Sequence, residues 1–225
     1  MKVIYRIAPN QPFKSPFSKE DKLFLVKTCL KSFVKAFEDV KLTIVFILDN
    51  CPDEYRFVVS ETVPFEKDFI FTNLGNFGTY SKQVEIASET DDFVLLQEDD
   101  YLYLPGTEKK LMKALDALDF ITPQDEYLYY FDEPRHIGKY EIKVVGGHHF
   151  REVNSTTLTF AGHGKLFKEN RDTLLGFGTG DYPMWQEIRG LGYRLWCPIP
   201  TFATHMVEGI LSPTIDWNNI WLKSV

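Results

Sequence analysis

The sequence lacks several features that would place it in a broad functional class. Only three of its 225 residues are cysteine, and they form no CxxC pair. A disulfide framework or zinc knot is therefore not expected, and a reducing compartment fits best. No apolar run approaches the roughly 20 residues that a membrane-spanning helix needs. We expect a cytoplasmic protein without a transmembrane segment, and peripheral attachment to a membrane surface is left open.

Positive charge is also scarce. The chain has 25 lysines and arginines against 32 aspartates and glutamates, which gives a net charge of -7 at pH 7. Proteins that bind nucleic acids generally use a basic face to displace the counterions of the phosphate backbone, so no nucleic-acid partner is expected. A single nucleotide is still an allowed ligand, because a metal ion and a few local groups can hold one diphosphate.

The composition is that of a globular protein, with 44% hydrophobic and 15% aromatic residues. No internal repeat, low-complexity tract or linker divides the chain. We therefore expect one domain over residues 1–225. Its oligomeric state cannot be predicted from these features.

The first half alternates predicted strands with predicted helices. Ser18 and Asp21 have the spacing of a capping box at the start of the first helix. The run at residues 42–48 is unbroken and rich in β-branched residues, which is typical of a strand buried on both faces. This alternation predicts an α/β fold with a mostly parallel, Rossmann-like sheet and helices on both faces. The predicted strands are 3–7, 42–48, 69–71, 93–97 and 127–131.

The second half predicts a small antiparallel addition to this sheet. Strand-like pieces occur at residues 140–145 and 156–160, and a helix is predicted at about residues 182–191. The segment 196–200 contains two prolines, so we do not expect it to be a central strand.

An acidic cluster follows the predicted strand at residues 93–97. Glu98 and Asp100 would share one face of an extended chain, while Asp99 would point to the other. Carboxylates held together repel each other, and Mg²⁺ or Mn²⁺, which prefer oxygen ligands, would relieve that repulsion. In open α/β sheets, ligands bind at this end of the strands. The alternative is an acidic turn in water, in which Asp99 or Asp100 caps backbone groups.

Residues 91–100 resemble the strand and DxD-type motif of GT-A fold glycosyltransferases, with Glu98 in place of the first Asp. The resemblance implies that Asp100 and Glu98 bind Mn²⁺ or Mg²⁺, which bridges the diphosphate of a nucleotide sugar. Glu98 and Asp99 are also expected to contact the nucleotide sugar. His205 resembles the C-terminal histidine that completes the metal site. By this resemblance, residues 1–131 are the nucleotide-sugar half and residues 132–225 the acceptor and catalytic half.

Two further segments resemble the donor site of this family. Asp49, at the end of the second buried strand, resembles the acid that binds the base or ribose; the alternative is an Asx turn. Residues 73–82 resemble the loop and helix start that line the nucleotide pocket, which assigns Asn76 and Lys82 to donor binding. Glycines there allow close approach and a helix N-terminus attracts phosphate. The alternative is a plain strand-to-helix connection.

The acceptor side rests on a second set of resemblances. Residues 176–185 resemble the segment with the catalytic base of inverting members, where the family usually has a Glu-Asp pair. Here Gly180 replaces the first acid, and Asp181 matches the base. Asp181 is also a suitable helix cap, and the two roles are compatible. His163, in a glycine loop that resembles the acceptor loop, and Trp185 are assigned to acceptor binding.

These residues together predict a metal-dependent, inverting glycosyltransferase that acts on a nucleotide-sugar donor and a saccharide or related acceptor. One alternative is a sugar-phosphate nucleotidyltransferase. The absence of glycine from residues 3–10 counts against it, since such enzymes usually have a glycine-rich phosphate loop near the first strand. The other is a non-catalytic saccharide-binding module, which the glycine at position 180 keeps open.

Overall fold

A nine-stranded sheet organises the part of the chain that the computed structural model describes, which is residues 1–10, 14–18, 21–131 and 133–225. The strands are β1 Lys2–Ile7, β2 Thr43–Asp49, β3 Glu66–Thr72, β4 Phe93–Gln97, β5 Tyr101–Tyr103, β6 Phe120–Ile121, β7 Ile142–Val145, β8 His148–Val153, β9 Phe160–His163, β10 Leu195–Ile199 and β11 Ala203–His205. The helices are α1 Lys22–Ala36, α2 Asp53–Thr62, α3 Gly75–Ala87, α4 Thr107–Leu115, α5 Gly164–Glu169, α6 Arg171–Gly176, α7 Asp181–Gly190 and α8 Trp217–Ser224.

The strand order is β3-β2-β1-β4-β9-β6-β10-β8-β7, and β5 and β11 form a separate two-stranded ribbon. The first four strands run parallel, while β9 pairs antiparallel with both β4 and β6. The predicted α/β fold class, with helices on both faces, is confirmed. The antiparallel part is larger than predicted, because it includes β9 inside the sheet as well as the hairpin of β7 and β8.

The central strands are buried on both faces because helices cover both. Val3 and Tyr5 of β1 pack into the core under α1, α2 and α4, whereas Ile4 packs into the core under α3, α5, α6 and α7. Each large apolar side chain buried in this way contributes roughly 1.5–3 kcal/mol. This two-sided burial explains the unbroken apolar runs of the parallel strands.

Helix α1 begins later than the predicted capping box requires, so that prediction is wrong. Its N-cap is Asp21, whose carboxylate accepts a hydrogen bond from the N–H of Phe24 at 2.8 Å. The Ser18 hydroxyl donates to the carbonyl of Asp21 instead of capping the helix itself. Residues 19–20 of the predicted box lie outside the described residues.

Three other sequence-based assignments are wrong. Tyr127–Tyr130 form a single 3-10 turn and not a strand. The strand expected at residues 156–160 begins only at its last residue, since β9 spans Phe160–His163. The proline-containing strand β10 lies inside the sheet, between β6 and β8. Its pairing with the two-residue β6 ends at Trp196, so Pro198 lies beyond the end of that pairing.

No helix of the described residues is long and apolar enough to cross a membrane.

A substitution at Gly164 can show how tightly α5 packs on the loop that contains Thr90. A Cβ atom there would lie 1.9 Å from the carbonyl oxygen of Thr90, whereas a Cβ at Gly190 would meet nothing within 4 Å. We expect Gly164→Ala to lower the free energy of unfolding by about 1–3 kcal/mol through overpacking. Gly190→Ala should leave it unchanged or raise it by up to about 1 kcal/mol. Urea unfolding measures both, and equal stabilities would contradict the close contact at Thr90.

Candidate active site

A cleft of about 490 Å³ opens at the carboxyl ends of β1, β2 and β4. Its volume lies within the range of ligand pockets, about 300–1,000 Å³. Six residues predicted from the sequence line it: Asp49, Asn76, Glu98, Asp99, Asp100 and His205. The cleft is also lined by two cations that were not predicted, Arg6 and Lys22.

Glu98, Asp100 and His205 converge in this cleft. One ligand atom from each lies within 4.8 Å of the others. His205 reaches the acidic turn because β11 pairs with β5, which sets His205 opposite Tyr101. The two rings stack, with their centroids 5.1 Å apart. We call these three residues the acid–histidine trio.

The charges of the trio suit a divalent cation. Burial favours neutral Asp100, but His205 and Lys22 outweigh it and hold the pKa of Asp100 well below its usual range. Nε2 of His205 lies 3.2 Å from Oδ1 of Asp100, yet no described residue gives this buried oxygen a well-aligned hydrogen bond. Nδ1 of His205 is also buried, and within the described part of the chain it has no hydrogen-bond partner. Two carboxylates and an imidazole fit Mn²⁺, or Mg²⁺ with added water.

Arg6 holds Glu98 in place. Its guanidinium forms an ion pair with Glu98, and it also donates to the Asn76 carbonyl at 2.9 Å and the Asn76 side-chain oxygen at 2.6 Å. Burial raises the pKa of Glu98, and Arg6 opposes that rise. Arg6 therefore links β1, α3 and the acidic turn. A basic residue inside the apolar run of β1 was the signal for it in the sequence.

Asp99 turns away from the trio and is used by the protein itself. Its Oδ1 lies 2.5 Å from Nζ of Lys22, and its Oδ2 accepts the N–H of Ala8 at 3.0 Å. Both oxygens therefore have protein partners, and because Asp99 also lines the cleft, its contact with the nucleotide sugar stays a prediction. Asp99 fastens α1 and the end of β1 to the acidic turn.

Asp49 fastens the neighbouring loop. Its carboxylate accepts hydrogen bonds from the Thr72 hydroxyl at 2.8 Å and from the N–H groups of Leu74 and Gly75 at 2.7 and 3.0 Å. It therefore stabilises the start of α3 and does not form an Asx turn in its own segment. Because it still lines the cleft, a contact with the base or ribose stays a prediction.

Three predicted site residues lie away from the cleft. Lys82 pairs with Glu85 at 3.4 Å and is not among the lining residues. His163 pairs with Phe93, the first residue of β4, about 16 Å from the acidic end of that strand. Trp185 is only 2% exposed, in the core under α7. These positions lend no support to donor binding by Lys82 or to acceptor binding by His163 and Trp185, and the three assignments stay predictions.

Asp181 is the first residue of α7, and the N-cap is Gly180, so the predicted cap is wrong. Its carboxylate accepts the N–H of Thr156 at 2.8 Å. Burial raises the pKa of Asp181 to about 6, and Glu98 is near enough to add to the shift. A carboxylate with this pKa is a stronger base than an exposed one.

Glu126 is a functional candidate that the sequence did not reveal. Burial and the charge of Asp181 raise its pKa to about 7. It lies five residues after the end of the short buried strand β6. An acid after the apolar pair Phe120–Ile121 was therefore its only signal, and two residues are too short to predict a strand.

Comparison with known proteins rests on structure, because no protein-family model and no curated protein matches the sequence. The galactosyltransferase LgtC, solved in complex with donor and acceptor sugar analogs, superposes with a TM-score of 0.54. It is 12% identical, and the match covers 86% of this chain and 71% of that one. The chain therefore shares the α/β fold of this galactosyltransferase.

Two other solved structures share this fold. The inositol-1-phosphate CTP transferase from T. maritima has a TM-score of 0.53 and 15% identity, over 99% of this chain and 95% of that one. The 4-diphosphocytidyl-2C-methyl-D-erythritol synthase from Anaerococcus prevotii has a TM-score of 0.52 and 10% identity, over 86% and 84%. A glycosyltransferase and nucleotidyltransferases thus share the fold, which therefore does not choose between them.

Lys22 allows the ion pair beneath the cleft to be tested. Its side chain and that of Asp99 are 8% and 10% exposed. Lys22→Met leaves Asp99 buried without its cation, so we expect a loss of about 3–5 kcal/mol in the free energy of unfolding. The control is Lys35→Met, whose partner Glu38 is on the surface and whose substitution should change the free energy of unfolding far less. Urea unfolding that gave similar losses for both would refute the buried pair.

The raised pKa of Asp181 has a consequence for stability. The folded protein holds this proton more tightly than the unfolded chain, so the stability it contributes is lost as pH rises from about 4 to about 6. Asp181→Asn cannot ionise. We expect its Tm to match wild type at pH 4 and to exceed it at pH 8 by at least about 2 °C. Calorimetry that showed no difference at pH 8 would contradict the raised pKa.

Proposed function

We propose that the chain is a metal-dependent, inverting glycosyltransferase that moves a sugar from a nucleotide-diphosphate-sugar donor to a hydroxyl of a saccharide or related acceptor. The observation that carries the proposal is the acid–histidine trio, which lies in a ligand-sized cleft near the basic carboxylate of Asp181. A purely structural acidic cluster would not need an unbonded carboxylate oxygen together with a nearby base.

The donor would occupy the cleft lined by Asp49 and Asn76. Mn²⁺ or Mg²⁺ held by Asp100, Glu98 and His205 would bind the diphosphate and stabilise its charge as it leaves. Arg6 and Lys22 line the same cleft and keep the region from becoming strongly anionic. The donor half, residues 1–131, thus supplies most of this pocket.

Asp181 would carry out the proton transfer. Its carboxylate takes the proton of the acceptor hydroxyl, whose oxygen forms a bond to the anomeric carbon. The bond from that carbon to the diphosphate oxygen breaks, and its electron pair goes to the diphosphate. Attack from the face opposite the leaving group inverts the anomeric configuration.

A nucleotidyltransferase is the second candidate, since two of the structures with this fold are nucleotide-transferring enzymes, one of which matches over 99% of the chain. The glycine-free segment at residues 3–10 counts against it. The two reactions release different products, because a nucleotidyltransferase makes pyrophosphate and a glycosyltransferase makes a nucleoside diphosphate. A saccharide-binding module would make neither.

Donor binding can be tested by thermal shift with UDP-glucose, UDP-galactose and GDP-mannose, each with and without MnCl₂. A ligand that binds only the folded state at 100 times its Kd stabilises it by about 2.7 kcal/mol. We expect one of these donors to raise the Tm only with Mn²⁺, and Asp100→Ala to abolish the shift. Asp172→Ala, whose side chain is 99% exposed, is the control. A metal-dependent shift that survives in Asp100→Ala would exclude Asp100 as the ligand.

The base is tested separately from donor binding. We expect Asp181→Asn to lower kcat for transfer by about 10²–10⁴-fold, because no carboxylate is left to take the proton of the attacking hydroxyl. The Mn²⁺-dependent Tm shift with donor should be retained, because Asp181 does not line the donor cleft. The rate of nucleoside diphosphate formation at saturating donor and acceptor gives kcat. Full activity in Asp181→Asn would eliminate it as the base.

A further inference from the structure

Two carboxylates meet on one short stretch of chain. The Ser155 hydroxyl lies 3.4 Å from Oε2 of Glu126, and the N–H of Thr156 donates to Oδ2 of Asp181 at 2.8 Å. Ser155 and Thr156 are consecutive residues between β8 and β9. Glu126 and Asp181 are both partly exposed, so each remains within reach of a ligand.

A small cavity lies beside this stretch. Its volume is about 10 Å³, which is room for a group the size of one water molecule or hydroxyl. Its lining residues are Thr122, Gln124, Glu126, Tyr129, Val153, Ser155, Thr156 and Thr157, and all except Val153 are polar. Two of its lining residues also contact the β5–β11 ribbon, because Gln124 accepts the backbone N–H of His205 and Thr157 is hydrogen-bonded to Tyr101.

Burial and neighbouring charges raise the pKa of both acids. Glu126 is affected by Asp181, Arg135 and His205, and Asp181 by Arg135 and Glu98. Burial raises the pKa of Glu126 to about 7 and that of Asp181 to about 6. The pKa of Glu126 therefore lies above that of Asp181, so Glu126 holds its proton to a higher pH than Asp181 does.

We propose that Glu126 and Asp181 form a catalytic pair, in which ionised Asp181 takes the proton of the attacking hydroxyl while protonated Glu126 donates a hydrogen bond to a neighbouring oxygen of the acceptor. This inference rests on the function proposed above. Glu126 keeps its own proton throughout the step. Glu126 thus provides a second acid from a distant segment, since Gly180, the residue directly before Asp181, has no side chain.

The pair also defines the acceptor. Ionised Asp181 needs one hydroxyl, and Glu126 needs a second oxygen within reach of the cavity that it lines. Such an acceptor carries adjacent oxygens, as a saccharide does, and is not an alcohol with a single hydroxyl. The hydroxyl-sized cavity fits that second oxygen.

The pair itself is tested without any ligand, by carboxyl ¹³C NMR titration of the whole chain. We expect Glu126 to titrate near pH 7, and its pKa to fall in Asp181→Asn, because the neighbouring charge is removed. Glu126 is assigned by the resonance missing from Glu126→Gln, and Glu61→Gln on exposed α2 is the control. A Glu126 that titrates near pH 4.5, or that is unmoved in Asp181→Asn, overturns the pair.

The role in transfer is tested by the pH dependence of kcat/KM, with the donor selected by thermal shift and methyl α-D-glucoside as acceptor. Wild type should give a bell, with Asp181 on the acidic limb and Glu126 on the alkaline limb. Glu126→Gln still donates but cannot ionise, so it should lose the alkaline limb. Glu126→Ala should raise the acceptor KM about 10-fold, since it loses the hydrogen bond. An alkaline limb that persists in Glu126→Gln overturns the role.

The two failures are distinguishable. If no donor binds with Mn²⁺, the proposed function fails, while the NMR titration still decides whether the carboxylates are paired. If transfer proceeds but neither Glu126 variant changes the acceptor KM or the pH profile, the function stands and the role of Glu126 is overturned. The Mn²⁺-dependent donor shift should be unchanged in both Glu126 variants, which separates loss of acceptor binding from misfolding.

Discussion

The arrangement of this cleft depends on the neutralisation of a buried acidic turn. Glu98, Asp99 and Asp100 would repel one another strongly without counter-charges, and each has a different partner. Arg6 comes from β1 and Lys22 from the start of α1, while His205 comes from the far end of the chain. The same contacts that offset the repulsion therefore tie together three distant segments. Stability and ligand-binding geometry have a common origin here.

Much of this arrangement follows from local sequence. The buried parallel strands have long apolar runs, so the ends of β2 and β4, with Asp49 and Glu98, could be located in advance. The orientation of later segments could not. His163 also ends an apolar strand. Because β9 runs antiparallel to β4, however, His163 lies beside the amino end of β4 and not beside its acidic end. Strand direction depends on pairing between distant residues, which local patterns do not encode.

The sequence also did not predict the surroundings of individual side chains. Trp185 and Asp181 are four residues apart on one helix, yet one is a core residue and the other a partly exposed carboxylate. Asp99 had the same acidic signature as its neighbours, and its contacts with Lys22 and Ala8 make it a scaffold residue. Glu126 had no helical or strand period around it. The candidate site is built from short segments, and the role of each residue depends on the side chains that it contacts in the folded chain.

The pairing of β11 with β5 also sets an order of events during synthesis. Glu98 and Asp100 are synthesised early, whereas His205 follows Asp100 by 105 residues. The parallel strands β1 to β4 are complete long before the histidine can stack on Tyr101. A nascent chain can thus build the acidic turn, with Arg6 and Lys22 as its counter-ions, without offering the full trio. The trio is complete only after β11 has been synthesised and has paired with β5.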